Sequence, residues 1–420
     1  MKLHTRIFLG LAAGLVLGGL SKIPGLRALQ PMILAIEPIG TAFIRLITMV
    51  VVPLVIASLI TGIVALGDIR RVGRIGGKTL GIFLVTTLLA TIIGLALALG
   101  THLGEGLDPD ARASLVAQFG TQAGAAARTE APGLIQTLVE MIPRNPFGAA
   151  AQLDLLPLVF ALIVFGAALT VIEGEGRRVI VAFFEGLNDL CMVVIRWTMA
   201  LAPIGVFVLI AAAVARFGFD FLGSLARYVV VVILALLVHL VLVLLIPLQF
   251  AARLNVVRFF RSVSDAILLA FSTSSSSAAL PVSMAAANKR LGISNSVVSF
   301  VLPSGTVLNK NGAAVYKAVT GVFIAQLYGI HIGPSEMLII VLSSTLAAVA
   351  GAGVPGSSLV TTLIVLNALG LGPQAATGIA LVVGVDRPLD MCRTTVNLIG
   401  NLVTASVVAQ SEGEQVRASG

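Results

Sequence analysis

Long apolar runs, each closed by a short cluster of charge, glycine or proline, set the rhythm of this chain. They lie at about 7–25, 32–67, 79–103, 154–173, 188–215 and 224–250. Each is near or above the roughly 20 residues that a helix needs to cross a bilayer. A membrane barrel would instead show alternating segments of about ten residues. The pattern therefore predicts an all-α polytopic membrane protein. The first run follows Lys2 and Arg6 without a small-residue cleavage site after it, so it reads as a membrane helix and not a removed signal. The second is long enough for one strongly tilted helix. The stretch 104–150, with "GLDPDARAS" and "MIPRNPFG", reads as an external loop carrying short helical pieces, and "SEGEQVRASG" as a polar tail.

From Asn255 to Gln410 the apolar pattern is broken repeatedly. "FSTSSSSAALP" sets six hydroxyl residues in a row, Ser272 to Ser277. "NKNG", "AGAGVPGSS" and "GVDRPLDMCRTTVNLIGN" interrupt the segments that follow. Such breaks strand backbone groups, which are tolerated at membrane depth only where protein or a wet cavity satisfies them. Ser275 lies 34 residues before Asn309, and Gly353 lies 37 before Asp390. The spacing predicts a unit used twice: a re-entrant hairpin, then a helix with polar residues. Paired broken segments point to a binding site between inverted repeats.

Composition agrees. Of 420 residues, 58% are hydrophobic and 11% charged, against about a quarter charged in a soluble domain. The formal charge of +8 is a topology signal and not a nucleic-acid footprint. Positive residues gather at Lys2 and Arg6, at Arg70, Arg71, Arg74 and Lys78, at Arg177 and Arg178, and at Arg253, Arg258 and Arg261. These ends, and with them both termini, are expected on the cytoplasmic side of a cell (inner) membrane. Cys191 and Cys392 give neither a disulfide framework nor metal spacing. The four histidines are scattered and no nucleophile is paired with a base. No enzyme, metal or cofactor is indicated.

Between Glu336 and Glu412 the only charges are Asp386, Arg387, Asp390 and Arg393. On a helix, Asp386, Asp390, Arg393, Thr394, Asn397 and Asn401 fall on one stripe. Charge inside a membrane is costly, so the stripe must face protein, ligand or water. An Asp–Arg brace between helices accounts for one pair; six aligned polar positions beside two broken hairpins favour a substrate site. Arg393 offers a planar fork for a carboxylate. Asp390 can hold an ammonium, and Thr394 and Asn397 can bond a carboxylate or amide. The serine run adds hydroxyls and backbone N–H groups. Aspartate or glutamate matches this set.

At these residues the chain resembles the dicarboxylate/amino acid:cation symporter family, the glutamate transporters and their microbial homologues. The carrying motifs are "ITMVVVPLVIASLITG", "APIGVFVLIA", "SSSSAALP", "VLPSGTVLN", "FIAQLYGI", "GAGVPG" and "DMCRTTVN". The resemblance implies eight membrane helices and two re-entrant hairpins in a homotrimer that works as an elevator. It implies a scaffold from 1–75 and 106–217. The mobile transport domain would take 76–105, 218–252, hairpin 253–292, 293–332, hairpin 333–373 as gate, and 374–412. It also implies that Arg393 binds the substrate's side-chain carboxylate and Asp390 its amino group. Asn397, Thr394 and the backbone around Ser275, Ser276, Val354 and Gly356 would hold the main-chain carboxylate, with Ala313 replacing a substrate-contacting hydroxyl.

The chain departs from the family at its sodium motif. In place of Asn-Met-Asp-Gly-Thr stands Asn309-Lys310-Asn311-Gly312-Ala313, and a second sodium-binding aspartate is Asn401. Two carboxylates are gone and an ammonium has arrived. The expectation is that Lys310 replaces bound sodium, with Asn309, Asn311, Asn401, Thr86, Thr87 and Gly305 around it and the amide oxygens as its partners. The expected activity is transport of aspartate or glutamate with sodium coupling weak or absent. Proton coupling through Lys310 is one alternative, a C4-dicarboxylate carrier another, and an anion channel a third of a different class.

Overall fold

The structure is a computed structural model that describes residues 3–64, 73–104, 139, 142–152, 155–217, 219–350 and 356–417. These residues form helices and no strand. In order they are α1 (Leu3–Leu20), α2 (Leu29–Met49), α3 (Val51–Val64), α4 (Gly73–Gly100), α5 (Pro146–Ala151), α6 (Leu155–Val171), α7 (Glu175–Phe217), α8 (Phe219–His239), a π-helical segment (Leu240–Leu245) and α9 (Ile246–Phe250). The interrupted third gives α10 (Val256–Thr273), α11 (Ser276–Lys289), α12 (Asn295–Leu308), α13 (Asn311–Leu327), α14 (Pro334–Val349), α15 (Ser357–Ala368) and α16 (Gly372–Ser411).

Two expected spans need correction. The second apolar run is not one tilted helix: it divides at Val50 into α2 and α3. The run expected at 188–215 begins instead at Glu175 and bends by 51° between Thr198 and Ala200. Among the described residues, Arg74–Gly100 and Gly223–Phe250 are long and apolar enough to cross a membrane unaided, and the bent helix is a third candidate. Most of the expected external loop lies outside the described residues; its end carries α5, capped by the Asn145 side chain accepting from Phe147 N at 3.0 Å.

The helices pack in two groups. In one, α1, α2 and α3 pack on α7, and α3 also on α6. In the other, α4, α8, α14, α15 and α16 surround α13, every residue of which is buried. The outward faces of α4 and α8 are apolar, with Leu84, Val85, Val230 and Leu237 all exposed, as a lipid-facing surface requires. Trp197, the one tryptophan, is 69% exposed on α7.

Two consecutive helix pairs and a helix break divide the interrupted third of the chain. α10 and α11 turn back on each other at Ser274, which takes the left-handed conformation (φ 52°), and Ser275 caps α11 by accepting from Ala278 N at 3.1 Å. α14 and α15 form the second pair, whose tip, including Val354, lies outside the described residues. α12 and α13 are separated at Asn309 and Lys310.

One end of the molecule is tied by the tail. Glu412 accepts from Arg74 Nη2 and Lys78 Nζ at 2.6 Å each, at the start of α4. Ser294 N donates to Glu414 at 2.9 Å, and Arg417 N to the Leu291 carbonyl at 3.0 Å. The start of α4, the turn before α12 and the tail are thereby joined.

Candidate substrate site

The polar stripe of α16 faces inward as a whole: Asp386, Asp390, Arg393, Thr394, Asn397 and Asn401 are all buried. Arg393 organises it. Its Nη1 donates to Asp386 Oδ1 at 2.7 Å and its Nε to Asp390 Oδ1 at 3.0 Å. The guanidinium lies over the Tyr316 ring of α13, 4.1 Å from the centroid, a cation–π contact that holds its plane. Tyr316 in turn meets Tyr228 of α8 edge-on, and the Tyr228 hydroxyl bonds Thr320 at 2.9 Å. The other oxygen of Asp390 accepts from Gly356 N at 3.1 Å and faces Arg387 Nη1 at 3.7 Å. Gly356 sits at φ 80°, a conformation that glycine adopts without strain.

The break between α12 and α13 is joined to the stripe by amides. Asn397 Oδ1 accepts from Gly312 N at 2.8 Å, and Asn401 Oδ1 from Asn309 Nδ2 at 2.9 Å. A Cβ at Gly312 would stand 2.4 Å from the Arg393 carbonyl oxygen, so the contact between the helices requires glycine there. A Cβ at Gly305 would stand 2.4 Å from Asn401 Oδ1. Asn311 Oδ1 accepts from Thr87 at 2.8 Å and from Thr86 at 3.5 Å.

A family model described as the sodium:dicarboxylate symporter family matches residues 3–411. The chain belongs to this family. It is a transporter and not an enzyme. The chain is 36% identical over 377 residues to the proton/glutamate-aspartate symporter of Escherichia coli, covering 90% of this chain and 85% of that one. It is 33% identical over 412 residues to the proton/sodium-glutamate symport protein of Geobacillus stearothermophilus, covering 98% and 95%. It is 32% identical over 418 residues to the C4-dicarboxylate transport protein of Rhizobium leguminosarum, covering 98% and 89%.

Against the symporter family's sodium chemistry, the local donor set is a poor match. A hard cation prefers several oxygens, carboxylates among them. Asn309, Asn311 and Asn401 supply none that is anionic, and two of their three side-chain oxygens already accept hydrogen bonds. Asn311 Nδ2 and Asn401 Nδ2 are buried donors without partners among the described residues.

Lys310, 4% exposed, is buried as expected, but its expected partners are wrong. Among the described residues no hydrogen bond joins its ammonium to Asn309, Asn311 or Asn401. Asn309 instead donates to Asn401, and Asn311 accepts from Thr87. Ala313, Ser275 and Ser276 are buried too. Sequence reasoning missed Tyr316 and Lys317. Neither carried a local signal: Lys317 lies within α13, whereas Lys310 precedes that helix at the break, in a non-helical conformation.

Proposed function

We propose that the protein is a secondary carrier of acidic amino acids, aspartate or glutamate, that works without bound sodium. The observation that carries this reading is the buried Asp390–Arg393 pair, two opposite charges one turn apart beneath Gly356. An acidic amino acid presents both signs. Its carboxylate takes the Arg393 fork while its ammonium takes Asp390, so the internal pair is exchanged for two external ones and no buried charge is left unmatched. Asn397 and Thr394, with the first hairpin's tip at Ser275 and Ser276, complete the pocket for the second carboxylate. Lys310 supplies in covalent form the positive charge that sodium brings to relatives, which accounts for the joint loss of carboxylates at Asn311 and Asn401.

In this reading α4, α8 and α10–α16 move as one elevator against a trimeric scaffold of α1–α3, α6 and α7, with the second hairpin as gate. The eight spans, the cytoplasmic termini and the inner-membrane address follow from the same assignment. Uptake of labelled aspartate into proteoliposomes, with sodium replaced by choline, tests it. Saturable uptake of undiminished rate is expected; strict sodium dependence overturns sodium independence, and linear uptake favours a channel.

A C4-dicarboxylate substrate is a second reading. It is favoured by one observation: Asp390 already has Arg393, Arg387 and Gly356 N as partners and does not need an amine. Succinate displacing aspartate at comparable concentration supports it.

A further inference from the structure

Where α4, α16 and the π-helical segment before α9 meet, the apolar surface is not closed. A groove of about 350 Å³ lies between them. Its floor is buried, with Thr86 from α4, Leu244 from the π-helical segment and Thr404 from α16. Its rim is exposed and apolar, with Val85 on one side and Leu242 on the other. Two residues shape it. Pro247 has no N–H for the Val243 carbonyl behind it, and the helix before it is wound as a π turn, a local form that recurs at functional sites. Gly81 places no side chain in the mouth, where a Cβ would have nothing within 4 Å. The hydroxyls of Thr86 and Thr404 are spent on the Ile82 and Gly400 carbonyls at 2.8 Å each. The groove therefore offers little to a polar solute and suits a hydrocarbon chain.

Charge marks one end of it. Gly81 and Ile82 follow Lys78 by about one turn, and Val407 precedes Ser411 by the same step, so the groove runs down from the place where Arg74 and Lys78 hold Glu412. Two cations against one carboxylate leave one positive charge over, and the Arg74 side chain is 74% exposed. Arg70 and Arg71 stand just before it in the sequence. An apolar trough with a cationic end, on a surface that faces lipid, matches the two parts of a phospholipid with an anionic headgroup. We propose that this groove binds one acyl chain of such a lipid, with the lipid's phosphate at Arg74 and Lys78. The floor of the groove is also the back of the helix break. Thr86 Oγ1 stands 3.5 Å from Asn311 Oδ1. A Cβ on Gly400 would lie 3.7 Å from Leu244 Cδ1 and 3.1 Å from Asn311 Nδ2. A bound chain thus props the wall behind Asn311. The inference does not depend on which anion is carried.

The test titrates the full chain, purified in detergent and stripped of lipid, with phosphatidylglycerol and with phosphatidylcholine of the same acyl chains, read by native mass spectrometry. One phosphatidylglycerol per chain is expected to bind about tenfold more tightly than phosphatidylcholine, and to raise the melting temperature as any ligand of the folded state does. Gly81→Phe fills the mouth and loses both the bound lipid and the melting shift. Arg74→Gln with Lys78→Gln keeps a bound chain but erases the preference for phosphatidylglycerol, and Glu412→Gln, which frees both cations, sharpens it. Lipid taken up without saturation and without headgroup preference means annular lipid only and overturns the proposal, as does Gly81→Phe binding like the wild type. A smaller oligomer in Gly81→Phe than in the wild type assigns the groove to a second copy of the chain and overturns it as well. If Gly81→Phe does not fold, a photoactivatable phosphatidylglycerol decides on the wild type. Adducts concentrated on 81–89 and 242–247 support the groove; adducts spread evenly over α4, α7 and α8 overturn it.

Discussion

Helices α13 and α16 meet at the centre of the protein and treat charge in opposite ways. On α16 the buried charges answer one another: Arg393 holds two carboxylates and rests on an aromatic ring. On α13 Lys317 is just as deeply buried and is answered by nothing among the described residues. A charge with partners can serve structure, because its cost is met in every state. A basic group sealed in without partners is unfavourable as a cation, because nothing local offsets its lost hydration. The two helices thus separate a self-paired recognition element from a buried amine with no partner among the described residues.

The most severe way to break this contrast is Arg393→Met. It leaves Asp386 and Asp390 buried against each other, a loss of about 3–5 kcal/mol. Thermal unfolding in detergent should fall accordingly, and aspartate uptake should vanish. Gly312→Ala comes next. The new methyl meets the Arg393 carbonyl oxygen and pushes the helices apart, at a cost of about 1–3 kcal/mol. Aspartate affinity should drop by about tenfold or more as the Gly312–Asn397 bond is lost; unchanged isotherms would show that the contact does not shape the site.

A change meant to sharpen the contrast is Lys310→Met combined with Asn311→Asp and Asn401→Asp. It restores two anionic oxygens where the tethered ammonium stood, and uptake should become sodium-dependent. Persistent indifference to sodium in a folded triple variant counts against Lys310 as the built-in cation. The smallest effect is expected at Glu412→Gln, just past the C-terminal end of α16 and about three turns beyond Asn401. Hydrogen bonds from Arg74 and Lys78 hold the Glu412 carboxyl below its ordinary value of 4.5. The contribution of this exposed clamp is present above that ordinary value and is lost as pH falls through the lower, folded one. Substitution should loosen the tail in hydrogen exchange while uptake stays near wild type, and salt should have the same effect.

The sequence made much of this legible because membrane chemistry constrains it so tightly. An Asp or Arg in an apolar helix must face inward, so the stripe from Asp386 to Asn401 could be placed before any coordinates. The serine run and "NKNG" marked a hairpin tip and a helix break for the same reason. The division of the second run at Val50 was not legible, since an uninterrupted apolar run does not show where a helix turns. Nor were the partners of Lys310, because an asparagine beside it can bond another asparagine or a threonine as readily as it can solvate an ammonium. Lys317 went unseen because a single lysine in a helix has no local pattern to mark it; only the packing of five helices around α13 reveals that it is sealed in.

The single indole at Trp197 has a practical consequence. It lies on an exposed face of α7, so the protein carries one native indole, which can be excited selectively over its three tyrosines at long wavelength. Quenching by brominated acyl chains should therefore report the depth of that helix alone. A second indole introduced by Tyr316→Trp would then read the guanidinium above it against a constant background.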